Sequence, residues 1–298
     1  DAGGITRNVI PQFRFPVSAL QADIDFIAQH GVKFNFGVDT EKLDVETLKA
    51  QGFKYIFYAI GSEIDNILDL KGAQEKVIHS LPFLTQFRED PKSLDLGERV
   101  VIVGGGNTAM DSARAAIRVD GVKEVSVVYR RSEKEMPADR EEYGNAKTDG
   151  VTFHFLTQPK ELDANGNIKC VKMVLGELDS SGRRRPIDSD DFITLKVDTL
   201  ITAIGESVDK VQLNKYKIPI NEKGWAIIDE HSLESEVENV YVIGDAVTGP
   251  STVVRCIASA NQAVEAAIDK ELASYENEYP HDDDHHHDDE LDLVEEPF

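Results

Sequence analysis

The stretch from Arg99 to Arg131 constrains the fold of this chain more than any other. Val100 to Val103 form a short continuous apolar run, the pattern of a strand buried on both faces of a parallel sheet. Gly104, Gly105 and Gly106 interrupt it. From Asn107 the period changes: Ala109, Met110, Ala113, Ala116 and Ile117 recur at helical spacing, which predicts a helix. Gly104, Gly106 and Ala109 fit G-x-G-x-x-A, and each has a physical task. The first makes a tight turn, the second lets backbone approach a pyrophosphate, and the small third residue lets helix pack close on strand. The free N–H groups of the first helical residues, Asn107 and Thr108 among them, then favour an anion at the helix N-terminus.

The next expected strand, Glu124 to Tyr129, ends on Arg130 and Arg131. An NAD site places a carboxylate there for the ribose 2′-hydroxyl, whereas a guanidinium suits a 2′-phosphate. The pair therefore favours NADP(H) over NAD(H); the alternative is two surface arginines that merely end a strand. The formal charge of −23 argues against nucleic acid or an acidic membrane surface as partner, although much of it sits in the last segment. Cys170 and Cys256 are far apart, with no C-x-x-C. That pattern excludes an adjacent redox dithiol and a cysteine-ligated cluster or zinc made by this sequence alone. Without a signal peptide or long apolar run, the expected compartment is the reducing cytoplasm.

In chain order, Pro11 and Pro16 predict an extended or turn-rich opening rather than a helix, Val17 to His30 a helix ended by Gly31, and Val32 to Phe36 an alternating strand. A short helix over 45–51 and a buried strand over 55–60, closed by Gly61, follow. Lys134 and Arg140 add positive charge near the arginine pair, or are simply solvated. Apolar strands over 151–156, 171–175 and 194–201, with Asn165-Gly166 and Ser181-Gly182 turns, predict a hairpin-rich insertion that serves as cover. Arg183 to Arg185 read as an exposed hairpin tip, with a partner contact as the alternative. Val240 to Ile243 form a buried strand ending on Gly244-Asp245, where glycine admits a ligand and the carboxylate offers an acceptor to a sugar or ribityl hydroxyl. Ser251 or Thr252 should cap a final helix over 253–273.

Several motifs occur in one order: G-G-I-x-R-x-x-I-P-Q-F-R-F-P from Gly3, A-I-G-S at 59–62, G-G-G-N-T-A-M-D at 104–111, V-Y-R-R-S at 128–132, T-A-I-G-E at 202–206 and V-Y-V-I-G-D-A at 240–246. Together they resemble the NADPH-dependent flavoprotein family of the glutamate synthase small subunit and the N-terminal half of dihydropyrimidine dehydrogenase, with the selenate reductase subunit branch nearest. The resemblance runs to about residue 272.

It implies an α/β fold of nested, Rossmann-like dinucleotide-binding domains, with an NADPH domain inserted into an FAD domain. The repeated A-I-G at 59–61 and 203–205 supports that nesting independently. The expected boundaries are an FAD part over 1–96, the NADPH domain over 97–205, a second FAD part over 206–275 and an acidic tail over 276–298, with hinges at the crossings. The resemblance assigns Ala203, Ile204 and Gly205 to the nicotinamide, and Gly3, Gly4, Ile5, Arg14, Gly61, Gly244, Asp245, Ser251 and Thr252 to FAD. It also implies an FAD phosphate loop ahead of the G-G-I motif. None is present here, so the sequence is expected to be an N-terminally truncated fragment with impaired FAD occupancy. His281 and His285 to His287 lie in the acidic tail, expected to be disordered and not to hold a metal. The implied function is hydride transfer from NADPH to FAD, with electrons leaving to iron–sulfur centres or a partner subunit outside this chain. No acid or base is required. Two other readings stay open: a non-catalytic NADPH-binding or partner-docking module, and a disulfide or quinone reductase of the same fold.

Overall fold

The computed structural model describes residues 2–40, 43–180, 182–222 and 224–278; the His-rich segment therefore lies outside the described residues. Three helices come first: α1 (Gly4–Asn8), α2 (Val17–Gln29) and α3 (Val45–Ala50). Pro16 sits at the N-cap of α2, and Gly31 follows its C-cap with φ +85°, as a terminating glycine should. Asp44 caps α3 by accepting from the Thr47 N–H at 2.7 Å. Next come β1 (Ile56–Tyr58), β2 (Ile64–Asp65), β3 (Lys71–Gly72), β4 (Val77–His79), α4 (Ser80–Glu89) and β5 (Arg99–Val103). The glycine turn leads to α5 (Asn107–Ala116), β6 (Glu124–Tyr129), α6 (Arg140–Thr148) and β7 (Thr152–Phe155). A meander of β8 (Thr157–Leu162), β9 (Asn167–Leu178) and β10 (Arg184–Lys196) precedes β11 (Thr199–Thr202) and β12 (Glu206–Ser207). The chain finishes with α7 (Lys210–Lys215), β13 (Val240–Val242), α8 (Asp245–Thr248) and α9 (Val253–Glu278).

The central sheet is parallel throughout, in the order β4-β11-β5-β6-β7. Its inner strands β11, β5 and β6 are largely buried on both faces, because two covers meet them. Val100 and Ile102 pack with Met110, Ala113 and Ala116 of α5 and with Phe83 and Leu84 of α4. Val101, Val103, Val128 and Leu200 pack on Leu162, Ile168 and Cys170 of a second sheet, ordered β10-β9-β8-β3. The hairpin insertion is thus the lid over one face of the sheet.

Three expectations need correction. Val32 to Phe36 form no strand; Val32 and Phe36 are 49% and 58% exposed, and Phe34 and Phe36 stack on each other. Alternation supplies an apolar face, but a strand also needs a neighbour for its backbone, and among the described residues β1 pairs only with β13. The expected strand over 194–201 is two strands, broken where Asp198 turns to accept from the Arg99 backbone and guanidinium. The central sheet and its core also reach back to Val77, well before residue 97, because β4 pairs with β11 and α4 packs on α5. The two crossings between halves lie side by side: Asp65 pairs with Glu206 and Ile64 with Ser207, antiparallel.

Candidate functional site

In the central sheet the strand order reverses between β5 and β11, and ligands of open α/β sheets bind outside the carboxyl ends of strands at such a switch point. Gly104 follows β5 there and Ala203 follows β11. A Cβ on Gly104, which has φ +151°, would stand 2.1 Å from the Ala203 carbonyl oxygen and 3.2 Å from the Ala109 Cβ. A Cβ on Gly105 would strike the Tyr129 ring at 2.5 Å. Gly106 differs: nothing lies within 4 Å of its missing side chain, and its φ of −94° suits any residue. No neighbouring atom requires glycine at 106, and the space above this N-cap residue is open to a group that approaches the backbone closely.

That space opens into a cleft of 760 Å³. Asn107 and Thr108 form its floor, and the Asn107 side-chain oxygen accepts from the Asp139 N–H at 2.8 Å, pinning the loop that carries Pro137. Ala203, Ile204 and Gly205 form one side, where Ala203 is 5% and Ile204 36% exposed. Ala109 is fully buried beneath the turn and does not reach the cleft. Arg130 and Arg131 both line the far end, with different duties. Arg131 is 5% exposed, donates to Asp179 at 2.6 Å and to the Arg184 carbonyl at 2.9 Å, and so anchors the hairpin lid. Arg130 has no hydrogen bond or ion pair from its side chain among the described residues; partial withdrawal from water and the charges of Arg131 and Arg183 hold its guanidinium below its ordinary pKa. Such unrelieved positive charge is what an anion completes. Lys134 and Arg140 are exposed and stand outside the cleft, Arg140 facing Glu133.

Glu206 closes the inner end. Its Oε1 accepts from Thr108 at 3.0 Å, while burial and the nearby Asp65 and Asp245 carboxylates raise its pKa. Of the expected flavin residues, Gly61 and Gly244 follow β1 and β13, adjacent parallel strands, and both have positive φ. Ile243 continues the ladder by donating to the Tyr58 carbonyl at 3.0 Å. Asp245 Oδ1 accepts from the Ser251 N–H at 3.0 Å and hydroxyl at 2.8 Å, which shapes the loop before α9; Oδ2 has no partner among the described residues. Thr252 caps α9, its hydroxyl accepting from the Arg255 N–H. Ser251 and Thr252 line the same cleft as the glycine turn, so the two expected sites meet. Gly3 and Gly4 open α1 with φ +119° and +47°, and ideal Cβ atoms on Gly4 and Gly61 would each lie 4.0 Å from Glu63. Ile5 packs against the core. Arg14 stands elsewhere: it donates to Asp111 at 2.7 Å and pairs with Glu142 at 3.1 Å, on the outer face of α5 and α6.

The profile of the pyridine nucleotide-disulphide oxidoreductase family matches residues 6–266. The chain belongs to this family. A protein described as an oxidoreductase, YgfK of Escherichia coli O157:H7, is 47% identical over 279 residues, covering 93% of this chain and 27% of that protein. The glutamate synthase [NADPH] small chain of Escherichia coli K12 is 28% identical over 294 residues, covering 90% of this chain and 61% of its own length. Among solved structures, Mycobacterium tuberculosis FprA in complex with NADPH superposes with a TM-score of 0.74 at 19% identity, covering 92% of this chain and 76% of that one. The expected kinship with the glutamate synthase small subunit and the FAD/NAD(P)-binding α/β fold are therefore established. The chain spans about a quarter to three-fifths of the length of these two relatives. No helix among the described residues is long and apolar enough to cross a membrane. Both cysteines of this family member are free thiols, with Cys170 buried under the sheet and Cys256 beside Asp245.

Sequence reasoning missed three charged residues in the cleft wall: Glu206, Arg183 and Arg255. Glu206 stood inside the T-A-I-G-E motif without drawing notice. Arg183 lay in the basic run read as an exposed tip. Arg255 gave one faint signal, a cation in the first turn of a helix, where the dipole opposes it.

Proposed function

We propose that this chain is a unit of an NADPH-dependent flavin oxidoreductase, passing hydride from NADPH to FAD and electrons onward to iron–sulfur centres of a partner domain or subunit. The observation that carries the reading is the open space above Gly106 in one cleft with Arg130, whose side chain has no ion-pair partner among the described residues. Gly106 and the first N–H groups of α5 would receive the diphosphate, and Arg130 the 2′-phosphate. Ala203 and Gly205 leave room for a flat ring, and Ile204 gives it an apolar edge. Gly61, Gly244, Ser251, Thr252 and the uncommitted Oδ2 of Asp245 fit the flavin and its ribityl chain, with Gly3, Gly4 and Ile5 alongside. The flavin, when bound, supplies a hydride acceptor able to pass electrons on singly. The protein's task is positioning, since hydride transfer needs no proton donor from the chain.

The relatives' names, NADPH-linked and in one case a small chain, support a nicotinamide donor and a partner. Free thiols fit a reducing cytoplasm. The disulfide-reductase reading has no support from Cys170, a buried thiol raised to about 12. Calorimetric titration with NADPH and NADH, recorded with the visible spectrum after adding FAD, tests the proposal. A preference for NADPH that Arg130→Ala abolishes, with bleaching of bound flavin, is the expected result. Equal affinity for the two nucleotides would overturn the cofactor assignment, and binding without bleaching would make the chain a non-catalytic module.

A further inference from the structure

The cleft carries a second guanidinium that the cofactor assignment has not used. Arg255 lies in the first turn of α9, with Pro250, Ser251 and Thr252, on the wall belonging to the flavin half. It is exposed, and its side chain makes no hydrogen bond or ion pair among the described residues; only its backbone N–H is engaged, by Thr252. Three circumstances single it out. Acids outnumber bases in this chain by 55 to 32, so a partner carboxylate would be easy to supply. No acidic residue stands in the first turn of α9, where the helix dipole opposes a cation. The one carboxylate among the described residues lining the cleft, Glu206, accepts from Thr108.

We propose that Arg255 is a diphosphate-binding residue that clamps the dinucleotide from the wall opposite the glycine turn. The inference rests on the NADPH reading above. A dinucleotide phosphorylated at the 2′ position carries negative charge at two places, a monoester at one end and a diphosphate in the middle. The cleft offers two guanidiniums, Arg130 and Arg255, without partners among the described residues, one on each half of the molecule. Arg130 follows β6, where the adenosine ribose lies in this fold, so the monoester belongs to it. Arg255 shares the cleft with Thr108 at the start of α5, which leaves it the diphosphate. Because it stands on α9, the clamp ties the nucleotide to the flavin half, whereas every other assigned NADPH contact stands on the central-sheet domain.

The test separates the two anions with probes that carry one each. Binding of NADP+, NAD+, ADP-ribose and 2′-AMP to the purified chain is measured by calorimetry at fixed ionic strength for wild type, Arg130→Gln, Arg255→Gln and Arg255→Lys. Arg255→Gln should weaken NADP+, NAD+ and ADP-ribose by about tenfold each, leave 2′-AMP unchanged and keep the NADP+/NAD+ ratio. Arg255→Lys should recover part of that loss. Arg130→Gln should do the converse, weakening NADP+ and 2′-AMP alone. If Arg255→Gln leaves NADP+ within twofold of wild type, or weakens 2′-AMP, the clamp is wrong while the NADPH reading stands. A wild-type chain that binds neither NADP+ nor NAD+ overturns both.

Discussion

Replacing Arg14 by alanine should destabilise the protein by an amount that depends on pH, and the structure supplies both sign and size. Arg14 reaches from the segment after α1 to Asp111 of α5 at 2.7 Å and to Glu142 of α6 at 3.1 Å. Phe13 lies under the guanidiniums of Arg114 and Arg118, each 4.7 Å from its ring centre. Asp111 is 4% exposed, and its Oδ1 has no hydrogen-bond partner among the described residues. Burial raises its pKa from 3.8 to about 6 even with Arg14 pulling the other way. The unfolded chain therefore releases this proton first. Stability from this group falls as pH rises between about 4 and 6, and stays about 3 kcal/mol lower above that window.

Without Arg14 the carboxyl loses its nearest cation, its pKa climbs further and the window extends above pH 6. Arg14→Ala should lose about 1 kcal/mol at pH 5, where the carboxyl is largely protonated, and about 3 kcal/mol at pH 8, where a buried charge has lost its partner. Urea unfolding of variant and wild type at both pH values measures the difference. Adding Asp111→Asn to the variant should remove the pH-dependent part. Equal losses at pH 5 and pH 8 would refute the argument, because they would make Arg14 a packing residue.

Further outcomes follow from the cleft and the core. Gly106→Ala should keep the melting temperature within about 2 °C of wild type while weakening NADP+ at least about tenfold, since its methyl enters space that only a ligand uses. Gly104→Ala should instead cost several kcal/mol, on the order of a core overpacking, because its Cβ meets the Ala203 carbonyl; thermal melts of the two variants compare them. Glu206→Gln should tighten NADP+ a few-fold at pH 8 by removing negative charge from the cleft, and by less at pH 5, where the raised carboxyl is partly protonated; calorimetry at both values checks this. Iodoacetamide at pH 8 should leave Cys170 unmodified in the folded protein and label Cys256 slowly, read by mass spectrometry, because burial raises both thiols and thiolate is the reactive form.

The glycine turn, its two flanking strands and the arginines after β6 were legible in sequence, because each depends on local geometry. A buried strand must be apolar, and a tight turn with φ +151° needs glycine. The roles of the neighbouring arginines were not legible. Arg130 and Arg131 are adjacent in the chain, yet Asp179, 48 residues away, takes Arg131, while no described residue pairs with the Arg130 side chain. Val32 to Phe36 failed for a related reason: a period-two pattern says which face would be buried, not whether a neighbouring strand exists. Arg14 sat inside a motif tied to the flavin, and only packing showed it bound to α5.

By itself the sequence determined the dinucleotide-binding α/β fold, the glycine turn and the arginine pair after β6, since those follow from residue types at fixed short spacing. Tertiary structure decided where the central sheet begins, which arginine stays free, and that Glu206 and Arg255 face the same cleft as Gly106. These depend on which distant side chains meet, and charges compete for partners across the fold without regard to their order along the chain.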